Sequence, residues 1–130
     1  MTASACPFCD VDASRIQLEN EVGIAILDAF PVSEGHLLVV PKKHVASLYD
    51  LPTNEQAALW QLVSEVRKHI FQTFHPDGFN IGINDGQAAG QTVMHAHIHV
   101  IPRRIGDDPD PRGGIRRVIT GKAQYWKGTK

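Results

Sequence analysis

Long apolar runs are missing from this chain of 130 residues, which has no stretch near the about 20 apolar residues that a bilayer-spanning helix needs. Low-complexity tracts are missing too. With hydrophobic residues at 42% and charged residues at 21%, the composition is that of a chain that folds on its own as one domain with a modest core. Net charge is close to nil, at −1, which argues against a dedicated nucleic-acid binder. The first residues, Met1-Thr2-Ala3-Ser4-Ala5-Cys6, lack the basic and apolar regions of a signal peptide, so the expected address is the cytoplasm, with no membrane partner. Cysteine is scarce. The two that occur, Cys6 and Cys9, form a Cys-x-x-Cys pair, which in a reducing compartment reads as a metal half-site or a redox pair rather than a structural disulfide.

The small net charge hides an uneven distribution. Residues 1–102 carry 5 basic and 11 acidic side chains, whereas residues 103–130 carry 8 basic and 3 acidic ones. That C-terminal segment can attract an anionic substrate or stand as a solvated tail.

The hydrophobic pattern predicts a strand over 22–27 (Val-Gly-Ile-Ala-Ile-Leu), after a weaker one around 15–19. A turn over 29–35 leads to His36-Leu37-Leu38-Val39-Val40, a buried strand stopped by Pro41. Thr53-Asn54-Glu55-Gln56 reads as a capping box opening a helix. Leu59, Leu62, Val63, Val66, Ile70 and Phe74 then recur at helical spacing until His75-Pro76-Asp77-Gly78 breaks the pattern. Phe79, Ile81 and Ile83 alternate as a strand, a glycine-containing loop spans 84–92, and a last strand runs over about 93–101. Several strands in a meander-like sheet with one long helix make the fold class α+β.

The chemistry concentrates in Met94-His95-Ala96-His97-Ile98-His99-Val100. Strand side chains alternate, so His95, His97 and His99 share one face at about 6.6 Å per pair. Met94, Ala96, Ile98 and Val100 then turn to the other face, under the helix. Two functions fit such a row. In a zinc hydrolase the imidazoles act as ligands and leave a position open for water. In the other function a neutral imidazole attacks phosphorus, and the resulting phosphohistidine is released to water. Its neighbours meanwhile hydrogen-bond the charged oxygens or pass a proton. The adjoining Asn84, Gly86, Gly90, Gln91 and Thr92 supply donors and close backbone approach for a phosphate.

Taken with its flanks, the segment resembles the motif of the histidine triad (HIT) hydrolases: His95-Ala96-His97-Ile98-His99-Val100-Ile101 preceded by Gly90-Gln91-Thr92-Val93-Met94. His36-Leu37-Leu38-Val39-Val40-Pro41-Lys42-Lys43-His44 is similar to the family's upstream strand, and Asp28 stands eight residues before His36. The likeness runs over about 5–104 and is nearest the Hint-like and bacterial dinucleoside-polyphosphate hydrolase group. It leaves residues 105–130 as a basic extension of a single domain. It implies a sheet of about five antiparallel strands with one long helix and a short one, paired into a homodimer with the long helix near the interface. It further implies hydrolysis of nucleoside phosphoramidates or dinucleoside polyphosphates by way of a nucleoside monophosphate carried on His97. In this scheme His95 and His99 are catalytic residues beside His97, His99 and His36 help bind the phosphate, and Asn84, Gln91 and Thr92 donate to phosphate oxygens or the leaving group. Asp28 accepts from the ribose hydroxyls, and Ile26, Ala29 and Phe8 line the base pocket. The Cys6-Pro7-Phe8-Cys9 run resembles that of bacterial members in which both cysteines and the equivalents of His44 and His95 hold a structural zinc; no catalytic cofactor is implied. His69 and His75 have no counterpart and read as surface histidines. A non-catalytic nucleotide-binding module and a zinc hydrolase built on the histidine row remain the rival readings.

Overall fold

The computed structural model describes residues 6–128, so the Met1–Ala5 stretch read above for leader features lies outside the described residues. Five strands, β1 (Ile16–Glu19), β2 (Gly23–Leu27), β3 (Leu37–Pro41), β4 (Gly78–Ile83) and β5 (Ile98–Arg103), form one antiparallel sheet in the order β1-β2-β3-β5-β4. Helix α1 (Thr53–Phe74) connects β3 to the edge strand β4. The architecture is the α+β one anticipated, although the shorter helical pieces among the described residues are 3-10 turns, such as Leu48–Asp50 and Gly114–Val118.

β2 and β3 are apolar on both faces because both faces are covered. On one side Ala25, Leu37, Val39, Ile98 and Val100 pack against Leu59, Leu62, Val63, Val66 and Ile70 of α1. On the other, Ile24, Ile26, Leu38 and Val40 are covered by Phe8, Val11 and Ile16 of the N-terminal segment. Gly23 is where helix and sheet come closest. A Cβ there would lie 2.5 Å from Leu59 Cδ2 and 2.9 Å from the Val40 carbonyl oxygen.

Three local expectations are corrected. The capping box is not made: Pro52 is the N-cap and Thr53 is already helical, so no hydroxyl caps the first turn. Glu55 instead meets Lys43 Nζ at 2.9 Å, and Gln56 Nε2 donates to the Leu51 carbonyl. Met94 is exposed rather than packed under the helix. The last strand starts later than its alternation suggests, at Ile98, because the Ala96 N–H is bonded to the Val45 carbonyl in the 42–50 connection instead of to a strand. The strand also runs through Pro102. The Pro102 carbonyl accepts from Ser33 Oγ on the side where β5 has outrun its pairing with β3, so the missing proline N–H costs no ladder bond.

Helix α1 ends at His75, whose left-handed φ of 50° and N–H to the Phe71 carbonyl form a C-cap ahead of Pro76.

Candidate active site

The face of the sheet away from α1 carries the polar residues. Leu38 pairs with His99 across β3 and β5, which puts His99 on that face, while Ile98 and Val100 point to the helix. A cleft of about 410 Å³ opens there. Phe8, Asp28, Ala29, Asn84, Thr92, His97 and His99 line it, together with Arg15, Phe30, Leu38 and Gly90.

The hydrogen bonds define which nitrogen of each ring is free. His97 Nδ1 lies 2.8 Å from the His95 carbonyl oxygen, an acceptor only, so Nδ1 carries the proton and Nε2 keeps its lone pair. His36 Nδ1 accepts from the Val32 N–H at 3.2 Å, which places the His36 proton on Nε2. That Nε2–H faces His99 Nδ1 at 3.0 Å and Asp28 Oδ2 at 3.4 Å. His99 therefore accepts at Nδ1 and carries its proton on Nε2. Burial, then the neighbouring His97 and His36, push the His99 pKa down to about 4, so the ring is neutral near pH 7. Burial also lowers His36, partly offset by Asp28, so the 3.4 Å approach of Asp28 Oδ2 to His36 Nε2 is that of a carboxylate to a neutral ring rather than an ion pair. Asp28 is held from the other side as well, since Oδ1 accepts from the Phe30 N–H at 2.9 Å.

The three triad rings do not converge on one point. His95 is wholly buried and turned away from His99: its Nε2–H donates to the Pro41 carbonyl at 2.8 Å, and its Nδ1 faces Cys6 Sγ and Cys9 Sγ, each at 3.4 Å, and His44 Nδ1 at 3.1 Å. Cys9 Sγ and His44 Nδ1 are 3.0 Å apart, and both thiols are free of any disulfide. The donor atoms of Cys6, Cys9, His44 and His95 all fall within 4.8 Å of one another. Zinc bonds of about 2.3 Å to sulfur and about 2.0–2.1 Å to nitrogen give tetrahedral edges of about 3.3–3.8 Å, so the separations of 3.0–3.4 Å seen here fit such an ion after shifts of up to about half an ångström. The alternative of a zinc held by His95, His97 and His99 together is overturned by the divergence of the rings, with His95 in the cysteine cluster and His99 grouped with Asp28 and His36.

Two other assignments change. Gln91 is buried and fully engaged: Oε1 accepts from the Gly86 N–H, and Nε2 donates to the Ala46 and Val93 carbonyls. It holds the loop in shape and has no hydrogen left for a substrate. Ile26 is wholly buried and does not line the cleft, whereas its cross-strand partner Leu38 does. Arg15 went unnoticed in the sequence; the antiparallel pairing of Ile16 with Ile26 carries it alongside β2, where its guanidinium donates to the Leu27 carbonyl beside Asp28. In the C-terminal segment Arg103, Arg112 and Arg117 pair with Asp107, Asp110 and Asp108 of that same segment, and none of the three lines the cleft.

The HIT domain profile matches residues 11–106. The chain belongs to the HIT family. An uncharacterized HIT-like protein of Mycoplasma genitalium is 41% identical over 106 residues, covering 78% of this chain and 75% of that protein. The bis(5'-adenosyl)-triphosphatase of Dictyostelium discoideum is 40% identical over 94 residues, covering 72% of this chain and 63% of that enzyme. A zinc-bound histidine triad family protein of Mycobacterium smegmatis superposes with a TM-score of 0.72 at 36% identity, over 99% of this chain and 100% of that one. Within the HIT family this chain thus has a relative named as a nucleotide hydrolase and one solved with zinc. No described helix is long and apolar enough to cross a membrane.

Proposed function

We propose that this HIT protein is a nucleotide hydrolase that carries a nucleoside monophosphate on His97 and releases it to water. The observation that carries the reading is the His97 Nδ1–H bond to the His95 carbonyl, which leaves an Nε2 lone pair beside a neutral, proton-bearing His99 in the cleft. The His97 Nε2 lone pair attacks the α-phosphorus, and an N–P bond forms as the P–O bond to a phosphate leaving group breaks, or the P–N bond to an amine that takes up a proton as it departs. Water then attacks the same phosphorus and gives up a proton, which balances the one taken by the amine, the N–P bond breaks, and the lone pair returns to Nε2. His99 Nε2–H, and the amide and hydroxyl of Asn84 and Thr92, donate to the phosphate oxygens as negative charge concentrates on them. The His36 Nε2–H holds His99 in the tautomer that can donate. Asp28 Oδ2 accepts from the ribose, and Phe8, Ala29 and Leu38 give the base an apolar wall. The substrates are nucleoside phosphoramidates or dinucleoside polyphosphates. Zinc, held by Cys6, Cys9, His44 and His95, supplies folding energy to the N-terminal segment and takes no part in the bond changes.

Intact-mass analysis after an acid-free quench during turnover of an adenosine phosphoramidate tests this. An adenylyl adduct mapping to His97, absent in His97→Ala together with turnover, is expected. Near wild-type turnover in His97→Ala would mean that water attacks directly.

A further inference from the structure

Resting on the nucleotide reading above, we infer that the cysteine–histidine metal cluster and the nucleotide cleft are energetically linked, so that bound metal tightens nucleotide binding and bound nucleotide slows metal loss. Two residues serve both sites. The first is His95. Its side-chain Nδ1 faces both thiols and His44, while its backbone carbonyl accepts the His97 Nδ1–H at 2.8 Å. The second is Phe8, which lies inside the Cys6–Cys9 turn. That turn is closed by the Cys9 N–H to the Cys6 carbonyl at 3.2 Å and by the Phe8 N–H to Cys6 Sγ at 3.4 Å. From there the Phe8 ring lines the cleft, its centroid 5.0 Å from His97 and 5.9 Å from His95 in edge-to-face contacts.

Without a metal, the two thiols and His44 have only weak mutual hydrogen bonds to hold them against His95. The turn is then held chiefly by the packing of Phe8 and Val11 on β2 and β3, so the aromatic wall is less firmly fixed. A nucleotide that stacks against Phe8 must then bear the cost of ordering residues 6–9, which bound metal has already met. By reciprocity the nucleotide raises the metal's affinity by the same factor. The second route runs through His95, whose ring position sets where its carbonyl points and hence how His97 is aimed. Cys6 and Cys9 lie at one end of that chain of contacts, so oxidation of the pair to a disulfide, with two electrons passed to an oxidant such as a peroxide, would release the metal and loosen the cleft together.

Zinc release from the zinc-loaded full chain into excess 4-(2-pyridylazo)resorcinol, with and without saturating AMP, measures the linkage directly. AMP binding to the loaded and the zinc-stripped protein by calorimetry gives the reciprocal arm. Saturating AMP is expected to slow release by about fivefold or more, and stripping zinc to weaken AMP binding by a similar factor. Because the stripped protein could unfold, Phe8→Ala provides the second variant. It retains all four metal ligands and should bind one zinc, yet AMP at saturating concentrations should slow its release markedly less than in the wild type, the remainder being the share carried through His95. A wild-type release rate and AMP affinity that ignore each other would overturn the linkage and leave the nucleotide reading intact. Phe8→Ala showing the wild-type slowing would remove Phe8 as the carrier and overturn the inference as stated. AMP failing to bind even the zinc-loaded protein would overturn both it and the nucleotide reading.

Discussion

Replacing Asp28 with alanine separates binding from chemistry in this site. The carboxylate has two oxygens with different partners. Oδ1 is committed to the Phe30 N–H at 2.9 Å, and Oδ2 sits 3.4 Å from His36 Nε2 where the cleft opens. On the proposed reading the substitution therefore removes one acceptor from the ribose, and it removes one from a turn. The turn loses little, because Phe30 is 87% exposed and water can take over its N–H, so a stability loss below about 1 kcal/mol is expected. His36 loses a group that raises its pKa, so the ring stays neutral and still donates to His99. The phosphate end of the cleft is thus undisturbed. What remains is the proposed ribose contact, which as a charge-assisted hydrogen bond would be worth about 1.5–3 kcal/mol, alike in ground and transition states. At about 1.4 kcal/mol per decade, KM should rise ten- to about a hundredfold while kcat changes less than about threefold. Steady-state kinetics on an adenosine phosphoramidate, with thermal unfolding as the check on folding, is the assay. A fall in kcat at constant KM would refute the reasoning, since it would place Asp28 in the reacting apparatus.

Gln91→Ala leaves the Gly86 N–H and the Ala46 and Val93 carbonyls without their side-chain partner; these groups are only partly covered and water can reach some of them, so a loss of about 1–2 kcal/mol and a Tm lower by a few degrees are expected, and an unchanged Tm would show that Gln91 is no staple. His99 has a folded pKa of about 4 against about 6.5 unfolded, so below pH 6.5 the unfolded chain binds a proton that the folded chain refuses. Stability should therefore be complete above about pH 6.5 and decline as pH falls toward 4, with His36 acting in the same direction and His99→Gln showing a shallower decline in Tm; equal slopes would remove His99 as the source. Trp60 and Phe71 leave α1 with exposed apolar surface and β4 is an edge strand of the sheet, so the protein should run as a homodimer, and light scattering at 14.3 kDa in the micromolar range would contradict this.

Alternation and helical spacing are local, so the α+β content could be read from the chain. β2, β3, β4 and α1 lie within a residue or two of where the apolar pattern put them, and the division of β5 into a helix-facing side (Ile98, Val100) and a side bearing His99 follows from period two alone. The same rule failed over residues 93–97, where the backbone bonds to the 42–50 connection instead of a strand, and a period-two argument has no knowledge of that partner. Residue type settled which chemistry was available: imidazoles in a row, thiols two apart, and one carboxylate ahead of a proline turn. Which of these groups meet was decided by contacts between segments far apart in sequence. His36 reaches His99 across 63 residues, and Cys6 reaches His95 across 89. The free nitrogen on each ring then follows from whichever backbone group arrives opposite, Pro41 for His95 and Val32 for His36. Gln91 and Arg15 show the same limit in opposite directions. A donor in the right loop turned inward because the backbone of its own loop and of the 42–50 connection needed satisfying, and a cation at the start of a weak strand came to the cleft because an antiparallel pairing delivered it there.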